Sequence, residues 1–135
     1  MLVCRILEQS PEVMQEVSTL VIQAQSDLCE VRKMIHKIGF FIEKEKFCMD
    51  AGKPYLVMRA VRGEEKKPYE PAEYEYGRLL PEVSDTAYRK FLLDERDKKM
   101  KLQATLNMQK TSGAGARVEE LTEEITGLNW ILNKF

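Results

Sequence analysis

Apolar and polar positions change their spacing several times along this chain, and each change marks an element. The run Thr19 to Gln23 is rich in β-branched residues and Leu and does not alternate, which predicts a short strand buried on both faces, as in a parallel sheet. It breaks into small and amide side chains, Ala24-Gln25-Ser26. Leu28, Val31, Ile35 and Ile38 then step by 3, 4 and 3, the core stripe of an amphipathic helix. Ser26 or Asp27 can cap that helix by accepting from its free amides, and Gly39 supplies its left-handed stop. Two strand patterns follow, Phe41 to Cys48 and Tyr55 to Val61, around Met49-Asp-Ala-Gly-Lys53, and they predict an antiparallel hairpin. Upstream, Val3 to Leu7 reads as a helix that ends by Ser10-Pro11, with a short helical turn from Pro11 through Val17.

The second half has a different texture. Gly63 to Tyr76 is polar, contains Pro68 and Pro71, and reads as a surface connector. Asp85 is placed to cap a long helix through Lys110 whose apolar positions are Tyr88, Phe91, Leu92, Leu102 and Leu106. Thr111-Ser-Gly-Ala-Gly-Ala116 is a flexible break. Val118, Leu121, Ile125, Leu128, Leu132 and Phe135 then form a heptad seam that predicts a helix packed back on its predecessor. The expected organisation is an α/β domain over residues 1–63, a connector over 64–81 and a helical hairpin over 82–135.

Composition narrows the function classes. With 44% hydrophobic and 32% charged residues the chain reads as globular, and no apolar run approaches the length that spans a bilayer, so no membrane partner is expected. Cys4, Cys29 and Cys48 are odd in number and lack metal-type spacing, which fits buried thiols in a reducing cytoplasm. Net charge is −1, but residues 78–110 carry eight basic and five acidic groups. The excess centres on Arg89, Lys90, Arg96, Lys98, Lys99, Lys101 and Lys110, the first six of them the candidates for tRNA contact. Interleaved with Asp94, Glu95 and Asp97 they form a solvated helix face on one reading and a phosphate-binding face on another.

The order Leu-Val-Ile-Gln-Ala-Gln-Ser-Asp27, Val31-Arg-Lys33, Gly39-Phe40, Asp50-Ala-Gly-Lys-Pro-Tyr55 and Tyr76-Gly-Arg-Leu-Leu80 resembles the bacterial tRNA adenine-22 N1-methyltransferases, the TrmK family. The resemblance is good from Met1 to about Leu92 and matches the C-terminal half of that family. It implies the C-terminal part of a class I, Rossmann-like methyltransferase sheet ending in an antiparallel hairpin, followed by a coiled-coil-like antiparallel helical hairpin. It also implies S-adenosylmethionine as the cofactor of the complete protein and tRNA as its partner. Family members carry an acidic, Gly-containing cofactor loop and an Ala-Gly-Met-Gly-Gly-like turn, whereas no glycine precedes Gly39 here. On that comparison the 135 residues are a truncated chain that starts inside a helix, with no cofactor-binding residue among those present. Such a piece would be inactive alone and prone to self-association through an exposed sheet edge.

The chemistry expected of the resemblance is modest. Methylation at adenine N1 needs the base held edge-on to a methyl sulfonium, so alignment matters more than a strong base. Gln23, Ala24, Gln25 and Ser26 sit where a strand end would face such a base, and Gln can pair bidentately with an adenine edge. Strand-end amides also commonly satisfy loop backbone groups. Many family members have Pro at the position of Ala24, so the turn here is less rigid. Phe40, Phe41 or Tyr76 could stack on the base, or belong to the core. His36 lies on a charged helix face with no evident acid partner, and no nucleophile triad, phosphate loop or metal cluster stands out. A non-catalytic protein- or RNA-interaction module and another class I methyltransferase are the competing readings.

Overall fold

The structure, a computed structural model, describes residues 2–109 and 113–135, with side chains from residue 4 onward. Met1, Lys110, Thr111 and Ser112 lie outside the described residues, and with them the expected helix end at Lys110 and the start of the flexible break. The chain divides into two compact units, Met1–Leu80 and Pro81–Phe135.

In the first unit, α1 (Leu2–Gln9) and α2 (Pro11–Glu16) precede β1 (Thr19–Ala24), α3 (Leu28–Lys37), β2 (Phe40–Asp50), β3 (Lys53–Arg62) and α4 (Pro71–Tyr76). Proline opens α2 where a missing N–H costs nothing. Val31 and Ile35 are fully buried and Leu28 and Ile38 pack at the margin, so the expected stripe of α3 is its core face. Gly39, at φ 86, ends the helix. Its start differs from expectation: Asp27 sits at the N-cap in the left-handed region, φ 56, and makes no side-chain cap bond.

Strands β1, β3 and β2 form a three-stranded sheet in that order, antiparallel throughout. This corrects the reading of β1 as a doubly buried parallel strand. It pairs antiparallel with β3 and is buried on one face only, with Ile22 inward and Val21 71% exposed. The β2–β3 turn places Ala51 at φ 51 and Gly52 at φ 77, the two positive values a two-residue hairpin turn requires. A bulge between Ile42 and Lys44 makes Glu43 an extra residue opposite β3. Alternation slips by one there, and Glu45 turns into the core.

The polar stretch after β3 is packed rather than a simple surface connector. Tyr69 is 8% exposed and belongs to the core cluster with Ile22, Ile35, Phe40, Ile42, Met58 and Ala60. A short helix α5 (Leu79–Glu82) stands at the junction of the units.

The second unit is a helical pair, α6 (Thr86–Gln109) and α7 (Ala114–Leu132). Asp85 caps α6 as expected, its carboxylate accepting the Tyr88 amide at 2.8 Å. The apolar seam is Tyr88, Leu92, Leu121, Leu128 and Ile131, all buried. Ile131 takes the place expected of Leu132, and Leu102, expected on the packed side, is 43% exposed.

Candidate functional site

The end of β1 is built from the ladder outward. Gln23 and Ala24 are the last residues paired with β3, opposite Val57 and Leu56, and Gln25 and Ser26 continue past the sheet into the left-handed Asp27. The side chains of Gln23, Gln25 and Ser26 are exposed and make no hydrogen bond among the described residues. They therefore do not satisfy loop backbone groups, the ordinary task of amides at a strand end. A groove of about 470 Å³ lies beside α3, lined by Leu7, Met14, Met34 and Ile38 with Lys37 and Arg62, and none of the four strand-end residues reaches it. Phe40 is buried beneath the Arg62 guanidinium, 4.9 Å from the ring centre, so it is core and cannot stack on a base.

The motifs Val31-Arg-Lys33 and Tyr76-Gly-Arg78 meet at a buried ion pair that sequence reasoning did not find. Arg32 Nε donates to Glu45 Oε1 at 2.8 Å, and both side chains are 0% exposed. Arg32 Nη1 also donates to the carbonyls of Tyr74 and Glu75, at 2.8 and 3.0 Å. Gly77 lies against this pair at φ 88 and ψ 156, where a β-carbon would press on the Glu45 carboxylate. Next in sequence, Arg78 clamps Glu73 through Nε at 2.6 Å and Nη2 at 3.0 Å, donates to the Lys67 and Pro68 carbonyls, and covers the Tyr69 ring. Burial pushes the Glu73 carboxyl up, but the Arg78 bonds and the Glu70 amide outweigh it and hold the group below the usual carboxylate range. The same hydrogen bond raises Arg78.

His36 has partners after all. Its Nδ1 lies 2.8 Å from Tyr74 Oη and its Nε2 lies 3.0 Å from Glu65 Oε1, which also accepts the Ile42 amide at 2.9 Å. The ring meets Tyr69 edge-on, with centroids 4.7 Å apart. Among the described residues, no group of three or more His, Cys, Asp or Glu side chains is arranged to hold a metal ion.

The six cations expected to bind tRNA separate into two sets. Arg96 donates to Asn129 Oδ1 at 2.9 Å and Lys99 to Glu124 at 2.8 Å, so these two bridge α6 and α7. Burial raises the Glu124 carboxyl, and Lys99 with Arg117 outweighs it, leaving the group below its usual value. Gln103 adds a third bridge, to Thr122 at 2.7 Å. Lys98 reaches only Glu95 on its own helix, at 3.4 Å. Arg89, Lys90 and Lys101 are exposed and pair with none of the described residues. Leu92, Arg96, Lys99 and Gln103 step by 4, 3 and 4 along α6, and that shared phase was the signal that Arg96 and Lys99 face α7.

The sequence profile of the TrmK family, tRNA (adenine(22)-N(1))-methyltransferase, matches residues 1–129. The chain belongs to the TrmK family. Its fold is similar to that of an uncharacterised Listeria monocytogenes protein, at TM-score 0.87 and 18% identity over 95% of this chain and 56% of that one. It is similar to the B. subtilis m1A22 tRNA methyltransferase TrmK, at TM-score 0.80 and 18% identity over 97% and 58%. It is also similar to M. capricolum TrmK, a structure with S-adenosyl-homocysteine, at TM-score 0.76 and 17% identity over 98% and 56%. No curated protein matches.

These matches correct the expectation that the resemblance is good only from Met1 to about Leu92 and is to the C-terminal half of the family alone. The TrmK match runs through both units, hairpin included, and the structural likeness covers nearly the whole chain. The fold is accordingly that of the TrmK structures along nearly the whole of this chain, both units included. The chain spans a little over half the length of the solved structures it matches. No helix among the described residues is long and apolar enough to cross a membrane.

Proposed function

We propose that this TrmK-family chain serves S-adenosylmethionine-dependent methylation of tRNA at an adenine N1, in the cytoplasm. The observation that carries the reading is the family match over residues 1–129. The M. capricolum relative, described with S-adenosyl-homocysteine, supports S-adenosylmethionine as the cofactor. The turn from β1 into α3 is Gln25-Ser26-Asp27 and has no glycine where a backbone must approach a nucleotide closely, so the residues at that turn do not themselves fit the cofactor's cradle. The part assigned to this chain is positioning: the unbonded amides of Gln23 and Gln25 hold the adenine edge, Ala24 and Ser26 shape the turn around it, and the base is oriented rather than deprotonated.

Arg89, Lys90, Lys98 and Lys101 bind phosphates on this reading, and Arg96 and Lys99 hold the two helices that present them. The test measures transfer of labelled methyl to tRNA, with adenine or guanine at position 22, alongside tRNA affinity at several salt concentrations. Gln23→Ala and Gln25→Ala should each lose about 5- to 150-fold in kcat/KM, the worth of one base-edge interaction of about 1–3 kcal/mol. Arg89→Glu with Lys90→Glu and Lys101→Glu should weaken all tRNAs alike and flatten the salt slope by about 0.7–0.9 for each phosphate no longer neutralised. Transfer indifferent to position 22 points to another class I methyltransferase. Binding without transfer leaves an RNA-interaction module as the reading for these 135 residues.

A further inference from the structure

The hairpin of β2 and β3 outreaches β1. The ladder between β1 and β3 ends at Ala24 opposite Leu56, while β3 and β2 stay paired for three further positions, Tyr55 with Cys48, Pro54 with Met49 and Lys53 with Asp50. The register of β3 is fixed from both sides, because it is the middle strand. Leu56, Met58 and Ala60 are buried, so Tyr55 and Val57 take the other face. Gln23 lies opposite Val57 on that same face, and Tyr55 is its diagonal neighbour, about 7–8 Å away and within the reach of an aromatic ring. Were β1 one pair longer, Gln25 would stand opposite Tyr55.

Tyr55 is half-buried, and among the described residues it makes no hydrogen bond, ion pair or ring contact. A tyrosine held by packing commonly ties its hydroxyl, as Tyr74 does to His36. The aromatics expected to stack stand elsewhere: Phe40 in the core, Phe41 opposite Val61 at the far end of the ladder from Ala24, and Tyr76 on α4 rather than on the sheet. We propose that Tyr55 is the stacking platform for the adenine whose edge Gln23 and Gln25 hold, an inference that rests on the functional reading above. A base held by its edge alone can still pivot about its hydrogen bonds. A ring laid against its face removes that freedom, and in a transfer that depends on alignment the fixed plane is what sets N1 toward the methyl group. Every base has such a face, so the stack adds affinity and the choice of base stays with the amides.

The test compares the binding of tRNA with adenine at position 22 and of the same tRNA made abasic there, with no turnover required. The wild type should prefer the adenine form. Tyr55→Leu, which keeps an apolar side chain and loses the ring, should bind the adenine form about 5- to 150-fold more weakly and the abasic form as the wild type does. Tyr55→Phe should behave as the wild type. A second readout needs no variant and decides the matter if Tyr55→Leu does not fold: Cys48, exposed and paired opposite Tyr55, should be alkylated more slowly under the adenine form than under the abasic one. Full preference for adenine in a folded Tyr55→Leu, or equal protection of Cys48 by the two tRNAs, overturns the assignment of Tyr55 and leaves that of Gln23 and Gln25 standing. A wild type with no preference for the adenine form overturns both.

Discussion

Replacing Gly77 by Ala tests whether the buried Arg32–Glu45 pair depends on a glycine brought close from distant sequence. Two costs combine. At φ 88 and ψ 156 the backbone occupies a region essentially reserved for glycine, and a side chain there costs about 1–3 kcal/mol. The added carbon would also press on Glu45 Oε2 and come to 3.0 Å from Arg32 Nη2. Neither charged group can retreat to water, since both side chains are 0% exposed. Breaking such a pair costs about 3–5 kcal/mol, and a partial displacement some fraction of that. The expected loss is therefore about 3–5 kcal/mol, a large share of the roughly 5–15 kcal/mol that holds a domain folded. Gly52→Ala is the matched control: its φ of 77 is also positive, but nothing lies within 4 Å of its added carbon, so it should cost only the backbone part, about 1 kcal/mol. Urea unfolding followed by tryptophan-independent far-UV dichroism measures both. Equal losses for Gly77→Ala and Gly52→Ala would refute the claim that Gly77 is needed for close approach to the ion pair.

Ala51 holds φ 51 in a turn that favours Asn or Gly, so Ala51→Asn should stabilise the first unit by up to about 1 kcal/mol, read as a raised denaturation midpoint at unchanged slope. Glu73 is held below its ordinary value in the folded chain, so the stability it contributes is present above about pH 4.3 and is lost as pH falls through the folded value. Acid titration of Glu73→Gln should show a shallower loss over that window, and an unchanged curve would dismiss the Arg78 clamp as its cause.

Where pattern and packing agreed, the fold was legible. The stripe of α3, the Gly39 stop, the β2–β3 hairpin and the Asp85 cap each rest on local chemistry that a sequence displays directly. The ion pair was hidden because the bulge after Ile42 breaks the two-residue period: a strand read without it puts Glu45 on the solvent side. Tyr69 and Glu65 were hidden for another reason. Their stretch looks like a connector by its prolines and charges, and only the meeting with α3 turns it inward. The chemistry of the motifs was legible as resemblance but not as cause. Arg32, Gly77 and Arg78 carried the likeness to the TrmK family, and their neighbours show them holding the first unit together. The cations of α6 divided between packing and solvent because a run of alternating charges does not say which turn of the helix faces its neighbour.

His36 has both ring nitrogens committed, and the commitments have a direction. A carboxylate oxygen can only accept, so Nε2 carries the proton toward Glu65, and in the neutral ring Nδ1 is left to receive the Tyr74 hydroxyl. Three side chains from α3, α4 and the segment between β3 and α4 thus form a one-way file of donors, Tyr74 to His36 to Glu65. Moving the ring proton to Nδ1 would set one acceptor, Nε2, against another, the Glu65 carboxylate. The imidazole is thereby fixed in one tautomer and one orientation, and it should be seen as a single Nε2–H proton, slow to exchange, in the nitrogen-correlated spectrum of the folded chain.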